Sequence, residues 1–480
     1  MGEETPVEVQ HVQEEPISSV TEDLYHAVEE AVSSKHLVPD SVTTEPTVSP
    51  KPVETSKTAH PSATVELKVN VAPAYIHEAI AKIAPEQGFT PGQFQVTLEV
   101  GSSIGDGFIA EMFRAQITEG NRNMVVLCKI PPTNEARRKH SMPSFNREVF
   151  AYTSFLPAIY EFQREKGITE AQGVGFFNTP HCYLAYYDEA KEESVIAMDD
   201  LRLKGYRMWN KMVPVNYEHT KLLMIQLGRL HALSFALKDQ RPDLFEKFKV
   251  PDPMVETFQK NPPLIDMMCI TLDRALTALE PNEEIARQKL LKLKGTMFND
   301  MVNLTDANPI ERYAVVGHGD CWSNNMMYSY KKGVPTEVIL LDWQICRYVS
   351  PTLDILYFLF CCTDGEFRAA HYDEMIHIYY ASLRTLLEKL GGDPTRQFPY
   401  TTLLRQLKQY GKFGVIMASF LVPMLCMENT DLPDLDAEAE KFEKTQQINN
   451  DMFAVNEKSE AKYRKRMSAV IRDAIRYGYL

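Results

Sequence analysis

In the stretch His318-Gly-Asp-Cys-Trp-Ser-Asn-Asn325, Asp320 precedes Asn325 by five residues, and a second carboxylate, Asp342, follows beyond the polar segment Lys331-Lys-Gly-Val-Pro-Thr336. Two β-type runs, Asn325–Tyr330 and Glu337–Asp342, flank that segment, which is a hairpin signal. Antiparallel strands lie about 5 Å apart, so the hairpin returns Asp342 to the end where Asn325 began. Asp320 sits on the loop that enters the hairpin, and three oxygen-bearing side chains converge at one open end. Such donors suit Mg²⁺, which binds few protein groups and takes its other ligands from phosphate and water. A further carboxylate beside the ion could accept a proton from an attacking hydroxyl. Together these are the working parts of phosphoryl transfer.

Competing chemistries fit less well. A zinc site built on His318 and Asp320 lacks further ligands at useful spacing. A Cys321 nucleophile lacks a strand-turn-helix elbow, and its partners would all lie within four residues instead of arriving from separate segments. His231 reads as a packed core histidine.

Upstream elements must supply the rest of the cleft. Gln95–Val100 alternates as a strand, with Val96, Leu98 and Val100 on one face. The glycine-bearing loop Gly101–Gly107 follows, then strands over Phe108–Thr118 and Met124–Ile130 around the turn Glu119–Asn123. On the third strand Lys129 shares a face with Val125 and Leu127, so its stem can pack while its ammonium reaches the cleft. A helix is expected over Ser144–Leu156, with Phe145, Val149, Tyr152 and Leu156 on one side and Pro157 as its stop. A second hairpin fits His181–Tyr187 and Ser194–Asp199. Downstream the pattern is mostly helical, as at Leu223, Leu227, Leu230 and Leu237.

Composition narrows the class. The 480 residues carry 51 Lys+Arg against 65 Asp+Glu, a formal charge of −14. Residues 1–70 hold 13 acidic and 4 basic side chains, hence −9, leaving −5 for the other 410. That first segment is poor in aromatics and rich in Pro, so a disordered acidic tail is expected there. An acidic chain is a poor general binder of nucleic acid or anionic membrane. No long apolar run argues for a membrane span. The eight scattered Cys, without CxxC spacing, point to a reducing compartment. No nucleic acid, membrane or obligate protein partner is therefore expected, and the expected location is cytoplasmic.

The strings HGDCWSNNMMY, LDWQICRYVSPTLDILYFL and RDAIRYGYL resemble the insect ecdysteroid-kinase-like (CHK-kinase-like) family, whose motifs typically read HGDxWxNN and DFQxxRxxSPxxDLxYFL. It belongs to the choline and aminoglycoside kinase branch of the protein-kinase-like fold. The resemblance spans roughly residues 75–480 and implies an α+β, two-lobed fold, with an antiparallel-sheet lobe over 71–200 and a mainly helical lobe over 201–480. It implies ATP and Mg²⁺ as cofactors and a small hydroxylated molecule as substrate. Asp320 then matches the catalytic base, with His318 bracing its loop, and Asn325 and Asp342 match the metal ligands. Lys129 matches the phosphate-contacting lysine and Glu148 its ion-pair partner. Gly105-Asp106-Gly107 stands at the nucleotide-covering turn, and Ala197-Met198-Asp199 at the hinge that holds adenine. Asp354 matches a structural Asp of the same loop. The sequence departs from the family pattern at Trp343 (usually Phe), Asp199 (commonly Glu) and Gly107 (usually Asn). Acceptors considered are an ecdysteroid or other lipophilic alcohol, with choline, or a non-catalytic binding role, as the rivals.

Overall fold

The computed structural model describes residues 72–101, 110–260, 262–445, 449 and 454–480. The expected tail and the Gly105-Asp106-Gly107 turn lie outside the described residues.

An amphipathic helix, α1 (Ala74–Glu86), opens the described chain. Its Ile76, Ala79, Ile80, Ile83 and Ala84 recur at helical spacing and are all buried. They pack on one face of a five-stranded antiparallel sheet with strands in the order β1 (Gln95–Val100), β2 (Glu111–Glu119), β3 (Arg122–Ile130), β5 (Glu193–Asp199) and β4 (Cys182–Asp188). That face is built from Phe113, Ala115 and Ile117 of β2, Val126, Cys128 and Ile130 of β3, and Val195 and Ala197 of β5. Alternation along the strands turns Lys129, Leu127, Met112 and Met198 to the opposite face, where the register pairs Met112 with Lys129 and Leu127 with Met198.

The helix expected over Ser144–Leu156 is longer and continues past its supposed stop. It begins at Glu135, capped by the Asn134 side chain on the Arg137 amide, and runs as α2 to Phe150. A π-turn, Ala151–Phe155, then leads into α3 (Leu156–Glu165). The Leu156 amide bonds to the Ala151 carbonyl five residues back, so Pro157 falls in the first turn of α3. There its missing N–H costs no intrahelical bond, and the spiral continues instead of stopping.

Beyond the sheet the chain is dominated by helices. The long α4 (Tyr217–Gln240) lies against α9 (Gly365–Lys389), with α5 (Pro253–Lys260), α6 (Pro262–Thr277), α7 (Glu284–Thr305) and α8 (Thr352–Cys362) between them in sequence. Gly228 permits the α4–α9 approach, because a Cβ there would meet the Tyr379 carbonyl oxygen. Two small β units are set among these helices. One is the ribbon β7 (Val315–Gly317) with β10 (Arg347–Val349); the other is the hairpin β8 (Met326–Lys331) with β9 (Val334–Leu340), extended by β6 (Arg207–Met208). The α2–π-turn–α3 segment packs with this helical core through Phe145, Tyr152, Phe155, Leu156 and Ile159, although it arises between strands of the sheet. A helix near the C-terminus, α10 (Leu435–Thr445), also reaches α2: Arg137 pairs with Asp436 at 2.7 Å and Asn134 donates to Glu440 at 3.0 Å. Among the described residues no single helix is long and apolar enough to cross a membrane.

Candidate active site

The hairpin delivers its residues as the register requires. Met326 pairs with Leu340, and the Leu341 amide donates to the Asn325 carbonyl at 2.9 Å, closing the open end of the hairpin. Asn325 and Asp342 emerge there side by side. Asp342 has φ +64°, in the left-handed region that Asp tolerates better than most residues. The Asn325 amide nitrogen donates to Asp320 Oδ2 at 2.7 Å. The Tyr357 hydroxyl donates to Asp320 Oδ1 at 2.8 Å. Each oxygen of Asp320 thus has a fixed direction. Burial and the nearby charge of Asp342 raise the Asp320 carboxyl to about 6, against the opposing pull of these two hydrogen bonds.

The loop bearing Asp320 is held from behind. Asp354, in the first turn of α8, accepts the His318 amide at 2.8 Å and the Gly319 amide at 2.9 Å, and meets His231 Nε2 at 3.2 Å. Burial disfavours the Asp354 charge, but the hydrogen bond to His231 and the Gly319 amide outweigh it and hold the carboxyl down at about 2. His231 is a core histidine that also bonds Tyr379, so α4, α8 and α9 meet at this carboxylate. His318 is fully buried, which lowers its pKa and keeps it neutral. Its Nε2 lies 2.8 Å from the Leu341 carbonyl, and its Nδ1 accepts the Asp320 amide at 3.2 Å. Both ring nitrogens are therefore committed to backbone, tying the Asp320 loop to the segment that carries Asp342.

Gly319 has φ +89°, and a Cβ there would collide with the Ile345 carbonyl oxygen. Gly319→Ala should therefore cost about 3 kcal/mol or more of unfolding free energy by denaturant titration, from strain and overpacking together.

On the sheet side, Lys129 Nζ lies 2.6 Å from Glu148 Oε2 and 2.8 Å from Asp342 Oδ1. Burial alone would depress Lys129, but the two carboxylates outweigh it and hold the ammonium above its ordinary range. Glu148 is raised by its own burial, against the pull of Lys129, since two acids share one ammonium. Glu148 Oε1 also faces the Trp343 amide at 3.4 Å. Of the expected hinge residues, Met198 faces the cleft, whereas the Ala197 side chain belongs to the α1-facing core. The Asp199 carboxylate is engaged by Tyr183 at 2.7 Å and by Lys204. Both Ala197 and Asp199 lie on β5, between β3 and β4, and the Asp199 amide donates to the His181 carbonyl at 3.0 Å.

Between sheet and helices lies a cavity of about 430 Å³. Its sheet-side wall includes Ala110, Met112, Leu127, Lys129 and Met198; its helical wall includes Met267, Met268, Met301, Trp322, Tyr357, Met417, Phe420 and Met424. Asp320, Asn325 and Asp342 stand where the two walls meet. The donor set fits a hard cation: the Asn325 amide nitrogen is committed to Asp320, which leaves its carbonyl oxygen, and the Asp342 carboxylate lines the same cavity. Among the described residues no cluster of three or more His, Cys, Asp or Glu could hold a metal alone.

Sequence reasoning missed three side chains. Tyr357 lies one turn from Asp354 on α8, inside an apolar run that reads as core. Gln344 and Arg347, in the motif after Asp342, also line the cavity, and their types gave no role.

Among solved structures the chain is similar to the GDP and kanamycin complex of APH(2″)-IIIa, at 12% identity and TM-score 0.37, over 77% of this chain and 97% of that one. A Plasmodium vivax ethanolamine kinase matches at 13% and 0.37, over 85% and 90%. Spectinomycin phosphotransferase APH(9)-Ia, with ADP and spectinomycin, matches at 10% and 0.33, over 77% and 93%. No curated protein matches the chain. The profile of the ecdysteroid kinase-like family matches residues 104–392, more than half of the sequence, and the chain belongs to that family.

Proposed function

We propose that the protein is an MgATP-dependent phosphotransferase that moves the γ-phosphate to an alcohol of a small lipophilic molecule, an ecdysteroid or another hydroxylated compound. One observation carries this reading: Asp320, Asn325, Asp342 and Lys129 line one cavity whose helical wall is methionine and aromatic. In this reading the sheet lobe (71–200) takes the nucleotide and the helical lobe (201–480) the acceptor. Adenine is received where β5 ends, around Asp199, and Lys129 holds the α- and β-phosphates. The Asn325 carbonyl oxygen and the Asp342 carboxylate would hold Mg²⁺, which when bound neutralises charge on the phosphates. Asp320 accepts a hydrogen bond from the acceptor hydroxyl and takes its proton as the oxygen attacks. Tyr357 and Asn325 keep the Asp320 oxygens aimed, and His318 and Asp354 keep the loop in place. An apolar wall with few polar groups suits a lipophilic body better than a multiply charged one.

The test is Mg²⁺-dependent ADP formation with a panel of ecdysteroids, other hydroxylated lipophiles, choline, ethanolamine and aminoglycosides. Turnover is expected with neutral hydroxylated lipophiles. Turnover confined to cations would reassign the acceptor. Absence of turnover throughout, together with no thermal stabilisation by MgATP, would overturn the reading in favour of a non-catalytic binding protein.

A further inference from the structure

Asp342 sits in the left-handed region, and a non-glycine residue keeps that conformation only where its surroundings fix the chain around it. Upstream, the Leu341 amide and carbonyl are bonded to Asn325 and His318. Downstream, the chain turns through Trp343–Cys346, a turn closed by the Cys346 amide on the Trp343 carbonyl at 3.1 Å. The two ends of that turn meet neighbouring residues of α2. The Trp343 amide faces Glu148 Oε1 at 3.4 Å, and the Cys346 carbonyl accepts from Arg147 Nη1 at 3.1 Å. Trp343 is also fixed by its ring, which is fully buried beside Phe155, Phe176 and His318. Cys346 offers only a small thiol, and its end of the turn is tied to α2 through its carbonyl.

The same Arg147 Nη1 donates to the Pro251 carbonyl at 3.1 Å. Residues 250–252 run beside β10: the Val250 carbonyl accepts the Tyr348 amide at 2.8 Å, and Asp252 accepts from Arg347 at 2.8 Å. The next residue, Pro253, opens α5, and α6 follows it with Met267 and Met268 in the cavity wall. One guanidinium nitrogen on α2 thus joins the segment after Asp342 to the root of the helical wall. Its sequence neighbour, Glu148, holds Lys129 of the sheet. A hydrogen bond from a charged donor is stronger than a neutral one, so this tie resists displacement of either carbonyl.

We propose that Arg147 is a positioning residue for phosphate transfer. It ties the turn after Asp342 to the helix that carries Glu148, so that the metal ligand and the Lys129–Glu148 pair meet one nucleotide in fixed relation. This rests on the phosphotransferase reading of the site. The rival is a purely structural arginine that stabilises the fold and leaves Asp342 to be placed by Trp343 and the hairpin.

The test is calorimetric binding of MgATP, and of ATP in excess chelator, to the parent, Arg147→Leu and Arg147→Lys. Arg147→Leu should weaken MgATP by about tenfold, the low end for a hydrogen bond from a charged donor, and metal-free ATP by no more than about threefold, because the group it displaces is the metal ligand. Arg147→Lys should recover most of that loss: a single nitrogen serves both carbonyls, and an ammonium has three N–H groups. Amide hydrogen exchange of the unliganded protein reads the tie directly. Exchange over residues 342–348 should quicken by about tenfold in Arg147→Leu, while the α4 and α9 core stays protected. Equal weakening of both forms of ATP, or MgATP affinity equal to the parent's in folded Arg147→Leu, would overturn the proposal. If Arg147→Leu does not fold, Arg147→Gln takes its place under the same criteria. If the parent binds neither form of ATP, the phosphotransferase reading has failed separately. Exchange over 342–348 then decides alone, and exchange unchanged from the parent overturns the tie.

Discussion

Asp320→Asn is expected to reduce phosphate transfer by about a thousandfold or more, as loss of an oriented general base does, while the protein still binds MgATP. The change keeps size and polarity, and Tyr357 still has an oxygen to donate to. Burial raises the Asp320 carboxyl from 3.8 to about 6, so the folded state binds this proton more tightly than the unfolded state. The charge therefore opposes folding above pH 6, and this group favours the fold increasingly as pH falls from about 6 toward 3.8. Removing the charge should leave the melting temperature near neutral pH unchanged or higher. In the parent, turnover should fall on the acid side below about pH 6, since the base must be ionised. Raising Mg²⁺ should move that limb to lower pH, because a nearby cation favours the carboxylate. A variant that transfers phosphate as fast as the parent would remove Asp320 from the chemistry.

Lys129→Met is expected to damage both stability and nucleotide binding. The Lys129 and Glu148 side chains are 8% and 1% exposed, and removing the ammonium strands Glu148. Breaking a buried pair in this way costs about 3–5 kcal/mol. Adding Glu148→Gln should recover most of that stability, because the stranded charge is gone. Turnover should not recover and should stay about 10²–10³-fold below the parent, the loss typical of one electrostatic contact to the reacting group. Thermal melting and MgATP titration of the single and double variants separate the two effects. If Lys129→Met alone melts with the parent, the ammonium is not what keeps Glu148 buried.

Placements that are local in sequence follow from strand geometry, and placements across the fold need more than periodicity. The Asp320–Asn325 spacing and the hairpin to Asp342 are short-range, so strand geometry alone places them together. Lys129 could be read from strand alternation, but its dual contact with Glu148 and Asp342 depends on how α2 meets the sheet. Tyr357 was hidden because an aromatic in the apolar run of α8 reads as core, and only its hydroxyl distinguishes it. Arg347 and Gln344 line the cavity from the segment after Asp342, and their residue types alone give them no role. The helix over Ser144–Leu156 was cut short because Pro157 reads as a stop, and the π-turn that shifts it into a new first turn has no plain sequence signature.

The packing of α2 has a mechanical consequence. Its core residues join the helical cluster, Arg147 donates to the Pro251 and Cys346 carbonyls, and Arg137 is held by Asp436. The sheet instead shares its main core with α1. The Lys129–Glu148 pair spans the seam between β3 and α2. Glu148 stands on α2 and Lys129 on β3, so any movement of the sheet against α2 would change the length of that pair. The length of that ion pair would serve as a gauge of closure, readable by a spectroscopic label on either side.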